Sequence, residues 1–118
     1  DGLVLAGTGS GNYPTKIKEV LENYTGECTV VRASRVLEGA VFDSDVFDSK
    51  KVTIPAYKFS AQKARILLML ALNCTKNHET IKSFFQEYWK NFSCIVNNSV
   101  NAIIIYRLLQ DRRLLCSN

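Results

Sequence analysis

The spacing of apolar positions changes period several times along the chain, and each change predicts an element. Leu3-Val4-Leu5-Ala6 is a short continuous apolar run that stops at Gly7-Thr8-Gly9-Ser10-Gly11-Asn12, the pattern of a buried strand running into a glycine loop. Ile17, Val20, Leu21 and Tyr24 then recur at helical spacing, with Pro14 suited to the first turn and Gly26 ending the element. Thr29-Val30-Val31 is a second β-branched run. Strand, helix and strand in this order make a βαβ unit, which favours parallel pairing and a right-handed crossover.

The stretch 33–60 carries a weaker pattern. Val41-Phe42, Val46-Phe47 and Val52-Thr53-Ile54 are separated by Asp and Ser, which predicts a loop with one or two short strands. Pro55 makes any strand there short or an edge strand, because proline cannot donate to a ladder. Ser60 is placed to cap a helix over 61–72 that is apolar on most sides after Arg65, so this helix is expected to pack between layers. Asn77 opens a further helix to about Trp89, with Ile81, Phe84, Phe85, Tyr88 and Trp89 as its core stripe. The predicted fold is α/β, a small open parallel sheet flanked by helices over residues 1–89. Residues 90–118 form a divergent tail rich in Asn, Ile, Ser and Arg. Val100, Ile103, Ile104, Leu108, Leu109 and Leu115 fit a helix there, and Ile103-Ile104-Ile105 fit a strand.

Composition narrows the functional classes. With 118 residues, 47% of them hydrophobic and 22% charged, the chain is one domain's worth of ordinary globular sequence. No apolar run reaches the roughly 18 residues of a membrane span. Most of the net charge of +4 lies in the tail, where Lys90, Arg107, Arg112 and Arg113 face Asp111 alone. The nearly neutral body lacks the basic stripe of a nucleic-acid binder, so neither nucleic acid nor a membrane is expected as a partner. Cys28, Cys74, Cys94 and Cys116 form no CxxC pair and His78 is the single histidine, so no metal or other cofactor is expected.

The glycine loop is the strongest candidate for chemistry. Glycines after a strand tolerate positive φ and let backbone approach a ligand, and open α/β sheets bind ligands at the carboxyl ends of their strands. The spacing is GxGxGN, not the GxGxxG of dinucleotide sites, and no Walker lysine follows. The side-chain amide of Asn12 can both donate and accept; read from the residues alone, it caps the helix that begins near Pro14. Thr8 and Ser10 have no base placed by sequence to activate them, and His78 at a helix start reads as a surface or capping residue.

Four ordered segments carry a family resemblance. DGLVLAGTGSGNYPTKIKEVL (1–21), VVRASRV (30–36), AQKARILLMLAL (61–72) and IKSFFQEYW (81–89) are similar to the C-terminal domain of bacterial-type L-asparaginases and glutaminase-asparaginases. The resemblance implies a small parallel α/β sheet and, for the whole enzyme, hydrolysis of asparagine to aspartate and ammonia, with glutamine accepted by some members. It implies no cofactor, a cytoplasmic or periplasmic setting, and a homo-oligomer in which this domain completes a neighbouring subunit's active site. The family's asparagine carries over onto Asn12. Its loop carboxylate, usually glutamate, carries over onto Asp45 after a one-residue gap; the competing reading makes Asp43, Asp45 and Asp48 plain solvated loop residues.

Two departures accompany the resemblance. PAYKFSA (55–61) stands where the family has a glycine and then Leu-Asn-Pro, and the likeness stops near Trp89. The family's threonine nucleophiles belong to an N-terminal domain whose motifs this chain lacks, so the chain is expected to be inactive alone. Read-through or frameshifted sequence after a truncated gene is one account of the tail. The alternative function is a non-catalytic oligomerisation or binding module left from such a gene.

Overall fold

A computed structural model describes residues 2–26 and 28–95. The possible helix or strand at 99–116 lies outside these residues. Three strands, β1 (Gly2–Gly7), β2 (Thr29–Ser34) and β3 (Thr53–Ser60), form one sheet in the order β1-β2-β3. Both pairings are parallel. Helix α1 (Thr15–Glu22) joins the first two strands, and α2 (Ala61–Cys74) and α3 (His78–Ile95) follow the third. The βαβ reading and the parallel α/β class hold.

Every residue of the central strand β2 is buried. Its alternate side chains serve two unlike faces. Val31 and Ala33, with Ile54 and Ala56 of β3, form one apolar face that packs on Ala64, Leu67, Leu68 and Ala71 of α2 and on Ile81, Phe84 and Phe85 of α3. The α2 set falls at i, i+3, i+4 and i+7, one stripe of a helix. Burying a side chain such as Phe85 contributes about 2–3 kcal/mol. On the other face lie Val30, Arg32 and Thr53; the connection 41–52 hydrogen-bonds to Arg32 and Thr53 there and, through Lys18, to α1.

Three expectations are corrected. Helix α2 is not packed between layers: Ile66 and Met69 on its outer side are 59% and 57% exposed, because among the described residues only one of its sides meets the sheet. Strand β3 is the edge strand that Pro55 required, yet it is eight residues long. It reaches that length by an irregularity, since Arg32 pairs with Pro55 while Ser34 pairs with Ser60. Between these points Tyr57 turns into the left-handed region at φ 53°. Helix α3 continues past Trp89 to Ile95 without a break.

The helix caps follow the sequence reading. Ser60 Oγ accepts from the Lys63 amide at 3.4 Å. Asn77 Oδ1 accepts from the Thr80 amide at 2.9 Å and from the Thr80 hydroxyl at 3.1 Å, satisfying a donor that α3 leaves unpaired. Replacing Asn77 by alanine is expected to lower stability by about 1 kcal/mol, and by aspartate much less. Urea denaturation of the two variants checks this, and equal losses would count against the capping role.

Candidate functional site

The glycine loop is a closed turn at the carboxyl end of β1. Thr8 and Asn12 exchange backbone bonds, Thr8 N–H to Asn12 O at 2.9 Å and Asn12 N–H to Thr8 O at 2.7 Å. The chain reverses through Gly9 at φ 52° and Gly11 at φ 82°. Gly11 is required twice over, since a Cβ there would also lie 3.0 Å from Val41 Cγ2 and 3.1 Å from Arg32 Cγ. The loop is tied to the end of β2: Ser34 Oγ donates to Gly9 O at 2.5 Å, and the Arg35 amide donates to Gly7 O at 2.7 Å.

Asn12 is half-buried, and its Oδ1 is shielded from solvent without a hydrogen-bond partner. It does not cap α1, whose N-cap is Pro14 with no side-chain cap bond. The amide is therefore unspent on local structure. The second loop comes alongside through three contacts. Tyr13 donates its hydroxyl to Phe47 O at 3.1 Å, Lys18 Nζ donates to Val46 O at 3.1 Å, and Arg32 Nη2 donates to Phe42 O at 2.7 Å. The Tyr13 phenol titrates above its ordinary value, chiefly because burial disfavours the phenolate and next because the Asp48 carboxylate is near.

The three aspartates of this loop have three different fates. Asp45 is 84% exposed at its side chain and turned toward Lys51 at 3.9 Å, a surface pair worth about 0–1 kcal/mol. Asp43 meets Lys82 of α3 at 3.1 Å. Asp48 is not a solvated loop residue: it is buried, and its carboxylate accepts from Val52 and Thr53 amides and the Thr53 hydroxyl. The fold thus brings the loop of Asp45 beside the loop of Asn12, while the Asp45 carboxylate itself faces Lys51.

No base attends Thr8 or Ser10 among the described residues. His78 opens α3 and lines, with Cys28, Thr29, Lys51, Val52 and Lys76, a cavity of about 340 Å³. Thr29 and Val52 mark the amino ends of β2 and β3, so in a parallel sheet this cavity is at the opposite edge from the glycine loop. Among the described residues no group of three or more His, Cys, Asp and Glu could hold a metal ion, and no helix is long and apolar enough to cross a membrane.

Sequence reasoning missed Arg32 and Tyr13. The only signal for Arg32 was a charged residue inside the β-branched run Thr29-Val30-Val31-Arg32, where an apolar residue would be the simple choice for a central strand.

Comparison with known proteins places this geometry. Residues 1–85 match the model of the glutaminase/asparaginase C-terminal domain. The chain is 40% identical over 90 residues to L-asparaginase 2 of Escherichia coli, a match covering 75% of this chain and 26% of that protein. It is 36% identical over 90 residues to the glutaminase-asparaginase of Acinetobacter glutaminasificans, covering 73% of this chain and 27% of that protein. Among solved structures, a probable cytoplasmic L-asparaginase from Campylobacter jejuni superposes with a TM-score of 0.59 at 38% identity, over 72% of this chain and 26% of that one. The chain spans about a quarter of the length of these relatives. With its parallel sheet, its glycine loop ending in Asn12 and a family match over residues 1–85, the chain belongs to the glutaminase/asparaginase C-terminal domain family.

Proposed function

We propose that this domain completes the active site of an L-asparaginase, hydrolysing asparagine to aspartate and ammonia, with the reacting groups supplied by an N-terminal domain of a neighbouring subunit. The observation that carries this reading is the unspent amide of Asn12, held in a closed glycine loop with an Oδ1 that no group among the described residues engages. An amide in that state can serve the charged end of an amino-acid substrate. Asp45 is the second contributor: its weak, exposed pair with Lys51 leaves the carboxylate free to turn to a substrate ammonium. Glutamine is the second substrate, on the strength of the glutaminase-asparaginase among the relatives.

Amide hydrolysis needs an activated nucleophile and donors for the oxyanion. Neither arrangement is assembled among the described residues, so the purified chain alone is expected to release no ammonia from asparagine. Mixed with a matching N-terminal asparaginase domain, it is expected to restore turnover. Asn12→Ala is then expected to lower kcat/KM about 10- to 100-fold, the worth of one hydrogen bond to a charged group. Turnover by the chain alone, or Asn12→Ala without effect in the mixture, would overturn the proposal. A second reading, a non-catalytic interaction module, is favoured by the exposed Ile66 and Met69 of α2. A stable complex of the two domains without ammonia release would support it instead.

A further inference from the structure

Arg32 is an unusual residue for the centre of a parallel sheet. It lies on β2, is 2% exposed, and heads the fully buried side chains by volume. Among the described residues no carboxylate forms an ion pair with it. Its guanidinium spends its donors on carbonyls: Nη1 donates to Ser10 O in the glycine loop at 3.4 Å, and Nη2 donates to Phe42 O at the start of the acidic loop at 2.7 Å. Its Nε–H is buried and unpartnered. The stem runs directly beneath Gly11, as the 3.1 Å from Arg32 Cγ to a Cβ on that glycine shows. The adjacent residue is Asn12, whose Oδ1 is the buried acceptor without a donor. Each of these two atoms is orphaned, which is costly in a buried site.

We propose that Arg32 is a positioning residue for the loop that carries Asn12: it ties the glycine loop to the acidic loop through the Ser10 and Phe42 carbonyls. The rigid, planar fork of arginine serves two carbonyls from separate loops at once, a geometry that lysine does not reproduce. Stability alone does not call for this residue, since an apolar side chain of similar volume in a buried site generally serves the fold as well as an unpaired charge. What an apolar substitute cannot do is couple two loops that leave the sheet separately. The proposal rests on the functional reading above only for its kinetic arm.

The test is amide hydrogen exchange by NMR on the full chain, comparing the native protein with Arg32→Met and Arg32→Lys. In Arg32→Met, the hydrogen-bonded amides of Thr8 and Asn12 in the glycine loop and of Val41 and Asp48 in the acidic loop are expected to exchange at least about tenfold faster, while those of Val31, Ala33 and Ile54 change by less than about threefold. A uniform rise would reduce Arg32 to a structural residue, and a rise in one loop only would remove the coupling; either overturns the proposal. Arg32→Lys is expected to keep one loop protected and release the other. In the two-domain mixture, Arg32→Met is expected to raise KM with little change in kcat, and adding Asn12→Ala is expected to cost little more. If the native mixture shows no turnover, the functional reading fails while the exchange results still decide this one.

Discussion

Asp48→Ala is expected to destabilise the domain by about 3 kcal/mol, the largest effect of any single polar substitution outside the sheet. The carboxylate is buried and accepts three hydrogen bonds, from the Val52 amide at 2.9 Å, the Thr53 amide at 2.7 Å and the Thr53 hydroxyl at 2.6 Å. Bonds to an ionised acceptor contribute more than neutral ones. Alanine would leave the Thr53 donors buried and unpaired, and an unpaired buried donor costs about 1–3 kcal/mol by itself. Asp48→Asn keeps one strong acceptor and is expected to lose roughly half as much. The same carboxylate anchors the connection 41–52 to the start of β3, so its loss is also expected to free Phe47 O from the Tyr13 hydroxyl. Urea denaturation measures the stability. A loss below about 1 kcal/mol for the alanine variant would mean that water replaces the carboxylate and that it is not an anchor.

Tyr57 gives the second large effect, with an inverted order of substitutions as its signature. Its φ of 53° is left-handed, which costs a side-chain-bearing residue about 1–2 kcal/mol. The fold tolerates this because the ring is 7% exposed, set edge-on to Phe42 at 5.9 Å and stacked on Trp89 at 6.4 Å. Its carbonyl also accepts from the Val41 amide at 2.9 Å. The phenol titrates above 10.0, chiefly because burial disfavours the anion. Tyr57→Ala removes the ring and keeps the strained backbone, and is expected to cost about 3 kcal/mol. Tyr57→Gly also removes the ring but releases the strain, so it is expected to be the more stable of the two by about 1 kcal/mol. Glycine is ordinarily the worse residue inside a strand. Thermal denaturation showing alanine equal to or better than glycine would refute the strain argument.

The exposed side of α2 shows where pattern reading stops. Ile66, Met69 and Leu70 made the helix look like one packed between layers, yet within the chain they are 59%, 57% and 38% exposed. An apolar run shows that a surface favours being covered; it carries no information about what covers it.

While the length of β3 was decided by the fold, the sequence by itself determined β1 and β2, the order of the helices, the glycine loop and the caps at Ser60 and Asn77. These features depend on residues within about four positions of one another, through periodicity, backbone freedom and local capping bonds, so they are written in adjacent letters. The family, too, was legible, because GTGSGN and AQKARILLMLAL are contiguous segments. Only the tertiary structure decided which aspartate of the acidic loop is buried, that Asn12 is not a cap, that Tyr57 is left-handed, and that Arg32 lies beneath both loops. Each of these depends on where one segment rests against another: Tyr13 on Phe47, Arg32 on Ser10 and Phe42, Val41 on Tyr57. Three aspartates within six residues are chemically alike until packing gives one of them two amides, gives another Lys82, and leaves Asp45 at the surface facing Lys51.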